Sequence, residues 1–152
     1  MTPLSSLAAF GVALVAVAAC ARPHPLLEPR PAAVVAPAPD SFTVDFETSR
    51  GVFTVLARRD WSPHGVDRFH SLVANGFYDD TRFFRVIPGF VAQFGLPADP
   101  AVAAIWKERS IPDDSVRATN GRGTVSFARG GRDSRATQLF VNLRDNARLD
   151  TL

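Results

Sequence analysis

The stretch TRFFRVIPGF, Thr81 to Phe90, decides the fold. Phe83, Phe84, Val86 and Ile87 are apolar and β-prone, and Pro88-Gly89 marks a turn. The segment reads as a strand entering a turn, with FVAQF, Phe90 to Phe94, as the returning strand. Arg85 is the discordant residue. A period of two puts it on one face with Phe83 and Ile87, and leaves Phe84 and Val86 on the other. A buried, unpaired guanidinium is costly, so Arg85 needs a partner or a ligand. Gln93, across the turn, is close enough to contact it; a carboxylate at the sheet edge is the alternative.

Working outward, SFTVDFE alternates Phe42, Val44 and Phe46 on one face, TSRG supplies a turn, and VFTVLARR follows as a second strand. Residues 41–59 are therefore predicted to form a β-hairpin. A helix comes next. Ser62 is a favourable N-cap, Pro63 suits the first helical position, and Val66, Phe69, Leu72 and Val73 form an apolar stripe that Asn75-Gly76 ends. Residues 96–119 read mostly as loop, with AVAAIWKE (101–108) as one helical piece. GTVSFAR (123–129) and QLFVNL (138–143) are strands joined by the loop GGRDSRAT. The order β-β-α-β-β-loop-β-β, with short hairpin-linked strands, favours an antiparallel barrel or sandwich.

With 152 residues, 46% hydrophobic and 21% charged, the chain has enough apolar material for one domain with a real core. A net charge of +2 gives no reason to expect a nucleic-acid partner. The single cysteine, Cys20, excludes an intramolecular disulfide. It ends the apolar run LAAFGVALVAVAAC, which is short for a bilayer span and suits a secretory h-region. VAAC, Val17 to Cys20, resembles the bacterial lipobox, which implies cleavage before Cys20 and lipidation of its thiol. The n-region MTPLSS carries no Lys or Arg, a departure from the usual export signal. Residues 1–20 are thus expected to be an export signal, and the protein a periplasmic or outer-membrane lipoprotein. Residues 21–40 hold six of the twelve prolines and are expected to form an extended tether, at about 3.1 Å per residue up to ~60 Å long. The folded domain is expected over 41–152.

The domain lacks the usual catalytic equipment. It has no Gly-rich phosphate loop, no thiol and no metal-spaced His/Cys cluster. His24 falls in the tether, and His64 and His70 read as surface or boundary residues. Asp79-Asp80 and Asp113-Asp114 read as turn formers and solvated charge.

Two long motifs carry a family resemblance. TRFFRVIPGFVAQFG resembles the first cyclophilin signature, and GTVSFARGGRDSRATQLFVNL, with DNARLD after it, resembles the second. LPADPAVAAIWKERSIPDD looks like the loop of a bacterial branch of that family. The resemblance runs from about Asp45 to Asp150. It implies a mainly β fold, an eight-stranded antiparallel barrel capped by helices, and peptidyl-prolyl cis-trans isomerase activity without cofactor or metal. On the matching positions, Arg85 is the implied catalytic arginine, and Gln93 the glutamine that contacts substrate backbone and helps orient it. Phe90, Val91, Phe140 and Leu149 would wall an apolar proline pocket, and Ala128, Arg129 and Gln138 would form the neighbouring groove. The implied partners are proline-containing polypeptides, met by a monomer with a possible membrane anchor at Cys20.

The chain departs from the commonest family pattern at Val91, Phe94, Arg129, Arg132 and Arg148. It also reads LDTL where the family continues into a pocket histidine, two further strands and a second helix. The expectation is an unclosed barrel with open edges on its first and sixth strands. A proline-peptide-binding or chaperone module without useful catalysis, and a non-functional truncated product, are the rival readings.

Overall fold

The computed structural model describes residues 25–29 and 36–151. The export signal, Cys20, His24 and part of the tether lie outside the described residues. Among the described residues, six antiparallel strands form two sheets, accompanied by two α-helices. Strands β1 (Ser41–Thr48) and β2 (Gly51–Arg58) form the hairpin, in the register Phe42 opposite Ala57 through Thr48 opposite Gly51. Helix α1 (Pro63–Ala74) follows, then β3 (Arg85–Ile87), β4 (Val91–Phe94), helix α2 (Pro100–Trp106), β5 (Val125–Phe127) and β6 (Leu139–Asn142). A 3-10 helix, Ala147–Thr151, comes last.

The second sheet has the order β3-β4-β6-β5. This corrects one of the two expected edges: β6 is central, and β3 and β5 are the outer strands, whereas β1 pairs with β2 alone among the described residues and keeps the open edge expected of it. The barrel is unclosed, as expected, with six strands among the described residues where the resemblance implies eight for the full fold. Among the described residues the two sheets share no ladder, so there is no closed barrel. Aromatic packing joins them instead. Phe46 meets Phe94 edge-on at 5.5 Å, and Phe53 lies 6.3 Å from Phe83. Helix α1 buries Val66, Phe69 and Leu72 against this layer, the stripe read from its 3.6-residue period.

The helix start differs from expectation. Ser62 makes no capping bond to α1. Its hydroxyl donates to Asp114 (2.6 Å), and the Asp114 carboxylate accepts from the backbone N–H groups of His64 and Gly65, both at 3.0 Å. A carboxylate serves this helix end better than a hydroxyl, because it also opposes the positive end of the helix dipole. The pair Asp113-Asp114 is therefore structural, not solvated turn charge. Arg135 lies 3.1 Å from each of the two carboxylates, and Arg129 reaches Asp113 at 2.7 Å.

The segment read as a tether also departs from a solvated chain. Leu26 and Ala38 are each only 6% exposed. The Trp106 indole N–H donates to the Leu26 carbonyl at 2.9 Å, and the Ala38 N–H donates to Asp67 at 2.8 Å. Apolar side chains within a proline-rich stretch have found a place in the core.

Candidate active site

The register of the second sheet puts the site residues in rows. Arg85 is opposite Gln93, Gln93 opposite Phe140, and Phe140 opposite Ser126. Directly paired residues share a face, and so do residues two apart. Arg85, Gln93, Phe140 and Val91 thus lie on one face of the sheet. Phe94, Leu139, Val125 and Val141 belong to the packed core and occupy the other.

Arg85 is exposed, not buried as its apolar neighbours implied. The reason is position: β3 is an outer strand of three residues, all exposed. The side chain is nonetheless held. Its Nη1 donates to the Gln93 Oε1 at 3.2 Å, and the Gln93 amide donates to the Gln138 Oε1 at 2.8 Å. Among the described residues no carboxylate pairs with Arg85. Of the two partners considered from sequence, the glutamine is the one present.

The Pro88-Gly89 turn brings Phe90 to the head of β4. The Phe90 N–H donates to the Ile87 carbonyl at 3.0 Å, with Gly89 at φ 65°, as a type II turn with Pro then Gly requires. The Phe90 carbonyl accepts from the Leu143 N–H (2.9 Å) and the Asn146 side chain (3.0 Å). Arg148 stacks its guanidinium over the Phe90 ring, 4.8 Å from its centre. Leu149 sits half-buried beside Arg148 in the 3-10 helix. Phe90 and Phe140 are half-buried, whereas Val91 is 3% exposed and lies beneath the surface.

The implied groove residues line a separate cavity of about 480 Å³. Gln93, Ala128, Arg129 and Gln138 form one side, and Ala103, Ala104 and Trp106 of α2 form the other, with Lys107 beyond them. The Ala128 N–H donates to the Gln138 carbonyl at 2.9 Å, which fixes that side of the cavity. Arg129 is turned toward Asp113.

Sequence reading missed the polar frame beneath the site. Asn142 donates to the Thr124 hydroxyl (2.9 Å), and Asn146 donates to Asn142 (2.8 Å). Asn120 donates its backbone and side-chain N–H groups to Asp150 at 2.9 and 2.7 Å. Hydrogen bonds from Thr119 and Asn120 hold the Asp150 carboxyl below the usual range. A run of Asn and Asp reads as turn chemistry in sequence, and only the fold shows that these side chains converge.

The chain belongs to the family described as cyclophilin type peptidyl-prolyl cis-trans isomerase/CLD, whose profile matches residues 43–151. It is 38% identical over 109 residues to peptidyl-prolyl cis-trans isomerase A of Dickeya dadantii, covering 68% of this chain and 55% of that one. It is 33% identical over 112 residues to peptidyl-prolyl cis-trans isomerase-like 1 of Aspergillus oryzae, covering 70% and 68%. The chain thus spans little more than half the length of the first of these. The fold resembles the crystal structure of a Cryptosporidium parvum cyclophilin type peptidyl-prolyl cis-trans isomerase (TM-score 0.63, 24% identity, 72% of each chain). That protein was also solved in the presence of the dipeptide Ala-Pro (TM-score 0.62, 24% identity, 72% of each chain).

Proposed function

We propose that this chain is a peptidyl-prolyl cis-trans isomerase with Arg85 as its catalytic residue. One observation carries the reading. Arg85 is an exposed guanidinium with no carboxylate partner among the described residues, held by Gln93 on the same sheet face as Phe140. Family membership supports it.

The chemistry needs no nucleophile. Resonance gives the peptide C–N bond double-bond character and a rotation barrier of about 18–20 kcal/mol. As an X-Pro bond twists, the proline nitrogen pyramidalises and gains a lone pair. A guanidinium N–H aimed at that nitrogen interacts with the twisted state more strongly than with either planar isomer, which lowers the barrier. Gln93 limits the rotation of the Arg85 fork, so little ordering remains for the reaction. Phe90, Phe140 and Leu149 hold the proline ring, with Val91 packed below. Ala128, Arg129 and Gln138 contact the substrate backbone beyond it.

The substrates are X-Pro bonds of exported polypeptides, and the protein is a monomer lipidated on Cys20. The apolar run and VAAC support this part of the reading. The loop around residues 96–114 supports a place in a bacterial branch of the family. Loss of lipid incorporation in Cys20→Ser tests the anchor.

The test of catalysis is cis-to-trans exchange in an Ala-Pro peptide with the full chain and with Arg85→Ala. The expected result is a fall in kcat/KM of roughly 10²-fold, typical for loss of one transition-state donor. Absence of catalysis by the parent, with peptide still bound, would establish a binding module instead.

A further inference from the structure

Helix α2 has seven residues, too few to be stable on propensity alone. Its placement depends on its two buried residues, Val102 and Trp106, and on Asp99, which accepts from the Ala101 N–H at 2.8 Å. Trp106 is the larger anchor. Phe77 meets its ring edge-on at 5.7 Å, and the Arg68 guanidinium lies 5.2 Å from its centre. Arg68 in turn donates to the carbonyls of Arg109 (2.6 Å) and Ala136 (3.2 Å). The indole N–H is used by the Leu26 carbonyl, and the Leu26 side chain joins Trp106, Val102 and Phe77 in one buried cluster.

Trp106 also lines the cavity opposite Gln93 and Gln138. A segment some 80 residues earlier in the chain therefore packs on the residue that forms the cavity wall. A second tie stands nearer the domain, where Ala38 donates to Asp67 of α1. Asp67 is itself fixed by Arg59 at 2.8 and 3.0 Å.

We infer that residues 25–29 act as a clasp on Trp106, holding α2 in place and so setting the shape of the cavity beside the catalytic face. Leu26 and Trp106 are then positioning residues, acting on substrate through the cavity wall. The inference rests on the isomerase reading for its effect on substrate, but not for the clasp itself. Two consequences follow. A domain cut at residue 41 loses its clasp. The reach of any tether is counted from the residues before Pro25, not from Ser41.

The test uses the full chain carrying Trp61→Phe, which leaves Trp106 as the sole tryptophan, with and without Leu26→Asp. Three quantities are read: acrylamide quenching of Trp106, amide exchange of residues 100–107, and KM and kcat on a proline peptide of six or so residues. The clasp predicts quenching raised about threefold and exchange in α2 faster by about tenfold or more, with β4 and β6 unchanged. It also predicts KM raised severalfold at constant kcat. Unchanged quenching and exchange would overturn the clasp. A loosened α2 with unchanged KM would overturn its link to substrate. An inactive parent would remove the isomerase reading, while quenching and exchange still decide the clasp. Should Leu26→Asp unfold the whole domain, Leu26→Ala must shift the same two readouts in the same direction with smaller amplitude; no shift there overturns the inference.

Discussion

The Arg85 guanidinium donates to Gln93 at 3.2 Å, and Gln93 passes the chain of hydrogen bonds on to Gln138 at 2.8 Å. Gln93 has one amide and faces two partners, so its orientation is determined: the oxygen toward Arg85, the nitrogen toward Gln138. Removing Gln138's oxygen leaves that nitrogen free to turn. Gln138→Leu is therefore expected to lower kcat about threefold, and Gln93→Leu about tenfold, because only the second frees Arg85 directly. The double variant should resemble Gln93→Leu alone, since the two glutamines act in series. Multiplicative losses in the kinetic cycle would show that they act separately.

On the proposed reading, holding proline and weakening the amide are separate tasks that fall to different residues, Phe140 and Arg85. Phe140 lies two strands from Arg85 in the same row. Phe140→Ala removes apolar contact present in ground and transition states alike. It should raise KM about tenfold and leave kcat within about threefold. Arg85→Ala should do the reverse. Exchange rates measured across a range of peptide concentrations separate the two constants. Equal effects of both substitutions on kcat would contradict this division.

Asp114 ties α1 to the loop that carries Arg135, with its side chain 7% exposed and that of Arg135 10% exposed. Burial pushes its carboxyl up, but the hydrogen bonds from Ser62, His64 and Gly65 and the charge of Arg135 outweigh this and hold it below the ordinary value of 3.8. A carboxyl lowered on folding contributes stability above its unfolded pKa and loses it as pH falls through the folded one. Asp114→Asn should cost about 3 kcal/mol at pH 7, since it leaves Arg135 with one fewer charge partner in a partly buried site. The difference from the parent should shrink between about pH 4 and pH 2. Urea midpoints across that range check it; a constant gap would assign the loss to packing.

The parts of this fold legible in sequence are those set by local periodicity. Phe42, Val44 and Phe46 alternate, and Val66, Phe69 and Leu72 recur at helical spacing, so the hairpin and α1 stand where expected. Arg85 and Gln93 were also legible as a pair, because a tight turn of fixed register separates them. What was not legible depends on distant partners. Asp114 displaces Ser62 as the cap from 52 residues away, and Leu26 reaches Trp106 across 80. The exposure of Arg85 depends on β3 being outermost, which sheet order decides and the strand's own residues do not. The roles expected of Phe90, Phe140 and Leu149 come from a family resemblance alone, since their spacing reads as ordinary core.

Gly95 links the core to the cavity. Its φ is +96°, and an added Cβ would stand 2.6 Å from the Thr137 carbonyl oxygen and 3.1 Å from the Gln138 Cα. Both neighbours are backbone, so neither can swing aside. The same Thr137 carbonyl accepts the buried Tyr78 hydroxyl at 3.0 Å, and the Thr137 hydroxyl donates back to the Gly95 carbonyl at 3.1 Å. Gly95→Ala therefore strains φ and pushes apart two hydrogen-bonded segments, at a cost of roughly 3 kcal/mol. Because the displaced residue adjoins Gln138, the cavity side that Gln138 forms should shift too, and KM should rise in the folded fraction. Gly130→Ala is the control: a Cβ there meets nothing within 4 Å, and stability should change by less than about 0.5 kcal/mol. Thermal and urea unfolding of the two variants, beside KM for one proline peptide, decide it. Equal stability of the pair would mean that the Gly95 and Thr137 backbones are free to part, and that the cavity edge is softer than its hydrogen bonds imply.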